Sequence, residues 1–260
     1  MLITAMYNGS GLGNQLANYV TTRCIALDKG YKFGVQYPER FKGHSFMRLN
    51  FGELVVGGET PTEGQEPKLP EGIEHWYKET TNGYDEGLKD IKDNTLLHGG
   101  LQGVDYFKHR KEQVKKWLKV EFMDMPDDVC VINFRGGEYK YVKDFFLPMD
   151  YWYRAIEEMQ KENPDMTFVV HTDDKEEARR FFPLFHIVQD IGVNWRAIRY
   201  AKYLILSNSS FAILPAFLNE NVKRVIAPWG FGRHNIGEWL LEQNYVEGWN
   251  WLDNKGVWHK

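Results

Sequence analysis

One arginine, set between an apolar run and a pair of glycines, is where chemistry can first be read in this chain. Residues 129–132 are short, apolar and mostly β-branched, and they open into Asn133, Phe134, Arg135, Gly136, Gly137 and Glu138. In an α/β sheet, ligands bind beyond the carboxyl ends of the strands. A guanidinium at such an end presents a fork of donors that matches phosphate or carboxylate, and glycines let the backbone approach the anion closely. Arg135 is therefore read as holding a diphosphate such as that of a nucleotide sugar. The alternative is an ordinary exposed arginine in a strand–turn–helix. Glu138 has two readings as well: a base or holder of a sugar hydroxyl, or a solvated turn residue.

Two further polar clusters follow apolar runs. Residues 168–170 end in His171, Thr172, Asp173 and Asp174, where Asp173 is placed to accept hydrogen bonds from a base or ribose. Asp173 or Asp174 could equally cap the helix that follows. Residues 203–206 end in Ser207, Asn208, Ser209 and Ser210, with Phe211 opening a helix. Small hydroxyl and amide residues at a helix start suit an anion and also serve simply as a cap.

The elements that must position these groups alternate between the two types. Residues 2–7 read as a strand, Asn8 to Gly13 as a glycine-rich turn, and residues 14–29 as a helix capped by Gly30. This is the phosphate-cradling layout of a Rossmann-like unit. The dinucleotide fingerprint fails, however. Asn14 stands at the third glycine position when counting starts from Gly9, and Leu16 when it starts from Gly11. No acidic residue ends the next strand, at 32–36. Residues 57–72 form a Gly/Pro/Glu-rich loop, 95–98 a strand and 105–120 a helix. Residues 122–128 are acidic, carry Pro126 and mark the domain boundary. Beyond them come a helix at 149–163, a helix at 175–182, a strand at 203–206, a helix at 211–218 and a strand at 222–227. The expected fold is α/β, a doubly wound parallel arrangement in two domains, 1–124 and 125–260.

Composition narrows the classes. Hydrophobic content of 43% and charged content of 26% are those of a soluble globular protein. A formal net charge of -4 leaves no basic footprint for nucleic acid. Cys24 and Cys130 read as small core residues in a reducing compartment, and no His/Cys/Asp set has metal-ligand spacing. No apolar run reaches the length of a membrane span, and the first residues lack the basic-then-apolar leader pattern. The expectation is a cytoplasmic location.

These stretches, in order from residue 9 to about residue 230, resemble the α1,2-fucosyltransferase family (glycosyltransferase family 11-like) and its α1,6- and protein O-fucosyltransferase relatives. Gly11-Leu12-Gly13-Asn14-Gln15 matches the family's opening turn. Asn133 to Glu138 stands where it has His-x-Arg-x-Gly-Asp, and residues 147–156 look like its following helix. Residues 168–174 are similar to its Phe-x-x-x-Ser-Asp-Asp strand end. Asn208-Ser209-Ser210-Phe211 matches its Asn-Ser-Ser-Phe element, Ala227-Pro228-Trp229 resembles its Ala-Pro-x-x-Trp, and residues 103–107 are a looser match to Gly-Tyr-Phe-Gln. The family's histidine is Asn133 here, its second arginine Gly136, its aspartate Glu138, and the tryptophans after its Asn-Ser-Ser-Phe are Ile213 and Leu214.

The resemblance implies a GT-B fold, two Rossmann-like domains with parallel sheets facing a cleft. The first would be the acceptor side and the second would bind the nucleotide sugar. It implies an inverting, metal-independent transferase moving fucose from GDP-fucose to a glycan hydroxyl, with no cofactor. Gly11, Gly13, Asn14, Gln15 and Arg135 would contact the diphosphate. Asn133, in the histidine's place, belongs to the same donor set. His171, Thr172 and Asp173 would face guanine or ribose. Asn208, Ser209, Ser210 and Phe211 would complete the phosphate end, with Arg135 and Glu138 as the catalytic pair. Arg233 and His234 are candidates for reaching an acceptor. The changed central motif leaves two rivals open: a catalytically degenerate nucleotide- or sugar-binding module, and a transferase using another donor.

Overall fold

A computed structural model describes residues 1–59, 67–81, 83–142, 145–232, 239–240 and 245–259. Arg233 and His234 lie outside these described residues. The chain divides into two compact units, Met1–Lys119 and Val120–Lys260. The division falls ahead of the acidic run at 122–128. Within the second unit, Tyr200 donates its hydroxyl to Val120 O (3.4 Å), and Arg196 pairs with Glu121 at 3.1 Å.

The first unit is built on β1 (Leu2–Ala5), α1 (Leu12–Lys29), β2 (Phe33–Gln36), β3 (His75–Lys78), β4 (Thr95–His98) and α2 (Lys111–Trp117). Its four strands run parallel in the order β2-β1-β4-β3. Helix α1 starts earlier than its periodicity suggests. Gly11 stands at the N-cap and Gly30, with φ of 69°, closes the helix in the left-handed conformation glycine favours. The helix expected over 105–120 is shorter than that. Residues 104–110 form two 3-10 turns, and only Lys111–Trp117 is α-helical. Burial of Tyr106 and Phe107 fixes those turns, with the Tyr106 hydroxyl 2.9 Å from Glu79 Oε1.

The second unit holds β5 (Val129–Phe134), α3 (Met149–Gln160), β6 (Thr167–Thr172), α4 (Lys175–Phe181), β7 (His186–Val188), α5 (Ile191–Tyr200), β8 (Tyr203–Ile205), α6 (Ser210–Phe217) and β9 (Arg224–Pro228). It then adds a small pair, β10 (Phe231–Gly232) with β11 (Trp239–Leu240), followed by β12 (Asn250–Leu252) and β13 (Trp258–His259). Its large sheet has the order β13-β12-β9-β8-β5-β6-β7, parallel except for β13 on β12. Read from β7, the order is that of a Rossmann sheet. The chain builds outward from β5 to β7, then crosses back and builds outward from β8. The switch point lies between β5 and β8, where ligands of such sheets bind.

Every residue of β5 is buried, as a central parallel strand requires. Cys130, Ile132 and Phe134 share one core with Trp152, Ile156 and Met159 of α3 and with Phe168 and Val170 of β6. That packing pins the carboxyl end of β5, from which Arg135 emerges. The strand β7, the helix α5 and the strand β12 are elements that the sequence pattern does not separate from their surroundings.

Candidate functional site

The register of β5 on β6 sets Asn133 beside His171 and Phe134 beside Thr172. Just past these pairs, Arg135 and Asp173 meet. Their ion pair joins Arg135 Nη1 to Asp173 Oδ2, while the Gly136 N–H donates to the other carboxylate oxygen at 3.0 Å. Glu138, in a 3-10 turn over Gly137–Tyr141, accepts from Arg135 Nη2 at 2.6 Å. The Tyr139 ring lies 5.1 Å from the guanidinium carbon. Lys140 pairs with Asp174 at 2.7 Å.

The first glycine is required here by space: a Cβ on Gly136 would stand 2.6 Å from Asp174 Cβ, whereas one on Gly137 would meet only the carboxylate end of Asp173. Gly137 has φ of +33°. Gly136, which stands where the resembled family has its second arginine, is thus demanded by the closeness of Asp174 at the start of α4.

Asp173 and Asp174 divide the roles left open by the sequence. Asp174 caps α4 by accepting from Glu177 N at 3.0 Å, so Asp173 remains for Arg135. Burial pushes the Asp173 carboxyl above its ordinary range, against the opposing pull of Arg135 and the Gly136 N–H. Burial acts the same way on Asp174. There the Lys140 hydrogen bond and the Glu177 N–H prevail and hold it below that range.

Most other expected donor contacts are engaged inside the protein. His171 is buried, with Nδ1 2.9 Å from Asn194 Oδ1, while the Asn194 amide donates to Thr172 O at 3.0 Å. Burial lowers the His171 imidazole to about 4, so it is neutral near pH 7. The Thr172 hydroxyl accepts from Asp174 N at 2.9 Å. Asn133, also buried, accepts from Ser207 Oγ at 2.7 Å across the switch point. Asn208 donates to Phe145 O at 2.9 Å, Ser209 caps α6 through Phe211 N at 3.3 Å, and Phe211 packs edge-on against Trp195. His171 and Asn208, expected to face donor groups, are each buried and hydrogen-bonded within the second unit. Ser210, half-buried, is the first residue of α6.

In the first unit, Gly11 is exposed and α1 has no side-chain cap. Gly13 lies buried within the first turn. The Asn14 carbonyl oxygen of the side chain accepts from Gln102 at 2.8 Å. Gln15 is 2% exposed and its side-chain amide is engaged inside the fold: it donates to Arg40 O and accepts from Lys42 N, both at 2.9 Å. It fastens the loop after β2 to α1.

Sequence reasoning missed Lys140, Tyr139 and Asn194. The run Glu138-Tyr139-Lys140 stands beside Arg135 in the sequence, and its alternating charge is the available signal. Asn194 leaves none, because nothing in the sequence pattern marks off the helix that carries it. Among the described residues, no group of three or more His, Cys, Asp or Glu side chains is placed to hold a metal ion. No helix of the described residues is long and apolar enough to cross a membrane.

No family model matches this chain. Nor does any curated protein. Among solved structures, an Arabidopsis thaliana FUT1 mutant in complex with GDP is similar at 9% identity and a TM-score of 0.49, over 90% of this chain and 71% of that one. The E. coli heptosyltransferase WaaC with ADP is similar at 11% identity and a TM-score of 0.45, over 97% and 92%. Likenesses at this level transfer neither ligand nor activity. The fold assignment rests on the strand orders above.

Proposed function

We propose that this chain is a glycosyltransferase whose second unit binds a nucleotide sugar at the carboxyl edge of its sheet. The observation that carries the reading is Arg135 beside the β5–β8 switch point, held by Asp173, whose carboxylate the Gly136 N–H fixes in turn. The motif order described above supports fucose as the sugar and GDP-fucose as the donor. It also supports a glycan hydroxyl as acceptor.

The chemistry asked of the site is a single displacement with inversion at the anomeric carbon. The acceptor oxygen forms the new bond as the bond to the diphosphate breaks, and the acceptor's proton passes to a base. Charge builds on the departing diphosphate, and a fixed cation beside it stabilises the transition state more than the ground state. Arg135 supplies that cation without a metal. Glu138 is the carboxylate within reach of the same space and is assigned to the acceptor proton or a sugar hydroxyl.

The test is release of GDP from GDP-fucose, with and without a glycan acceptor, by the wild type and by Arg135→Ala. Release that the substitution abolishes supports the reading. A second reading, a module that binds without turnover, is favoured by the lack of space for a second arginine at Gly136. Tight GDP binding with no release of GDP from the sugar nucleotide would select it.

A further inference from the structure

Three polar atoms are stranded at the carboxyl edge of the first unit's sheet. The Tyr7 hydroxyl, His98 Nδ1 and the side-chain oxygen of Gln36 are each buried, and none has a hydrogen-bond partner. Burying a polar group without a partner is costly, and native structures pair nearly all of them. An orphan therefore asks for an explanation, and three at one edge ask for a common one.

The register puts them on one face. Ala5 lies opposite Gln36, and Ile3 opposite Leu96. Side chains alternate along a strand, so Tyr7, two residues past Ala5, and His98, two past Leu96, extend the same face. The rings of Tyr7 and His98 meet edge-on with centroids 4.8 Å apart. Gln36 O accepts from Met6 N, next to Tyr7, at 2.9 Å, and the Gln36 amide is oriented by donating to Gly57 O at 2.7 Å. The amino half of this face is an apolar core of Ile3, Ile73 and Leu96. Polar atoms take over where that core stops, at the edge where parallel α/β sheets bind ligands.

None of the three groups is charged near pH 7. Burial raises the Tyr7 phenol above its ordinary value, and burial, helped by Lys78, lowers the His98 imidazole below 6.5. The phenol can donate or accept, a neutral imidazole has one nitrogen of each kind, and the Gln36 oxygen accepts. A hydroxyl, which also does both, suits such a set; a phosphate, which mostly accepts, does not. We propose that Tyr7, Gln36 and His98 form a binding site in the first unit for a neutral sugar, each engaging a hydroxyl. The inference deepens the glycosyltransferase reading, on which the sugar's role as acceptor rests; the binding itself does not depend on it.

Saturation-transfer NMR titrations of wild type, Tyr7→Phe and His98→Gln with methyl glucopyranoside, methyl galactopyranoside and lactose test this. Tyr7→Phe removes an oxygen that has no partner in the protein, so its Tm should not fall. At least one of the three sugars should bind the wild type. Each variant should bind it about three- to ten-fold more weakly, the worth of one neutral hydrogen bond. No sugar bound by the wild type, as when water alone fills the space, overturns the proposal. So does binding that either variant leaves unchanged, and so does a lowered Tm in Tyr7→Phe, which would make the hydroxyl structural. A GDP titration of the same proteins separates the two ideas. Sugar binding without GDP binding keeps this site and removes the donor reading. GDP binding without sugar binding does the reverse.

Discussion

Gly136 backs directly onto Asp174: a Cβ built on the glycine would stand 2.6 Å from the aspartate's Cβ. Neither atom is the end of a flexible side chain, so an added methyl group must move backbone. Gly136→Ala is expected to destabilise the second unit by about 1–3 kcal/mol, the usual cost of overpacking. It should also misplace Arg135 and weaken GDP binding. Denaturant unfolding and a GDP titration on one variant check both effects, and unchanged values for both would contradict the described geometry.

The pH dependence of stability should carry the mark of Asp173. Burial raises its carboxyl above the ordinary value of 3.8 in the native state. The native protein therefore takes up this proton more readily than the unfolded chain. Its contribution to stability is fully present below 3.8 and is lost as pH rises through the raised value. Asp173→Asn removes this dependence. The difference in unfolding free energy between wild type and Asp173→Asn should thus shift in favour of the variant as pH rises across the window just above 3.8.

His171 works in the opposite direction. Burial lowers its imidazole from 6.5 to about 4, against a raising hydrogen bond to Asn194. Below 6.5 the unfolded chain takes up a proton that the native state refuses, so stability falls between pH 6.5 and about 4. The loss should approach about 3 kcal/mol, because each tenfold difference in proton affinity between the two states is worth about 1.4 kcal/mol. His171→Gln should flatten that limb of the stability curve, as measured by unfolding at a series of pH values. If instead His171 touched a base or ribose, the variant would change nucleotide affinity more than the slope.

Much of this arrangement is legible in the sequence, and the reason differs by element. Residues 129–132 are mostly β-branched and uninterrupted by charged groups, so a buried central strand is evident, and with it the position of Arg135. The spacing of Trp152, Ala155, Ile156 and Met159 makes α3 evident in the same way. By contrast, β7 and β12 are three residues each, too short for a period to show. Tertiary burial of Tyr106 and Phe107 overrides the helical spacing at 105–110. Within the site, residue types at strand ends announce polar clusters but not their orientation. His171 is engaged by the Asn194 side chain and Asn208 by the Phe145 carbonyl, partners far away in the sequence. Which of Asp173 and Asp174 caps α4 depends on a register that only the β5–β6 pairing supplies.

Gln15 separates scaffold from ligand contact in the first unit. Its amide joins Arg40 O and Lys42 N from a buried position. Gln15→Ala strands both backbone groups and should cost about 1–3 kcal/mol of stability. GDP affinity of the folded variant should be unchanged within about two-fold, a bound set by losing no direct contact. A titration with a large loss of affinity and no loss of stability would return Gln15 to the donor site.

The measurement that bears most directly on nucleotide binding at Arg135 is a GDP titration of the wild type beside Arg135→Ala, with UDP and ADP as competitors. Hydrogen bonds to a charged partner contribute about 1.5–3 kcal/mol, so removing the guanidinium should weaken GDP about ten- to a hundred-fold. The expected result is saturable GDP binding in the wild type, preferred over UDP and ADP, and that loss in the variant. GDP binding of equal strength in both proteins, or no binding of any of the three nucleotides, would contradict it.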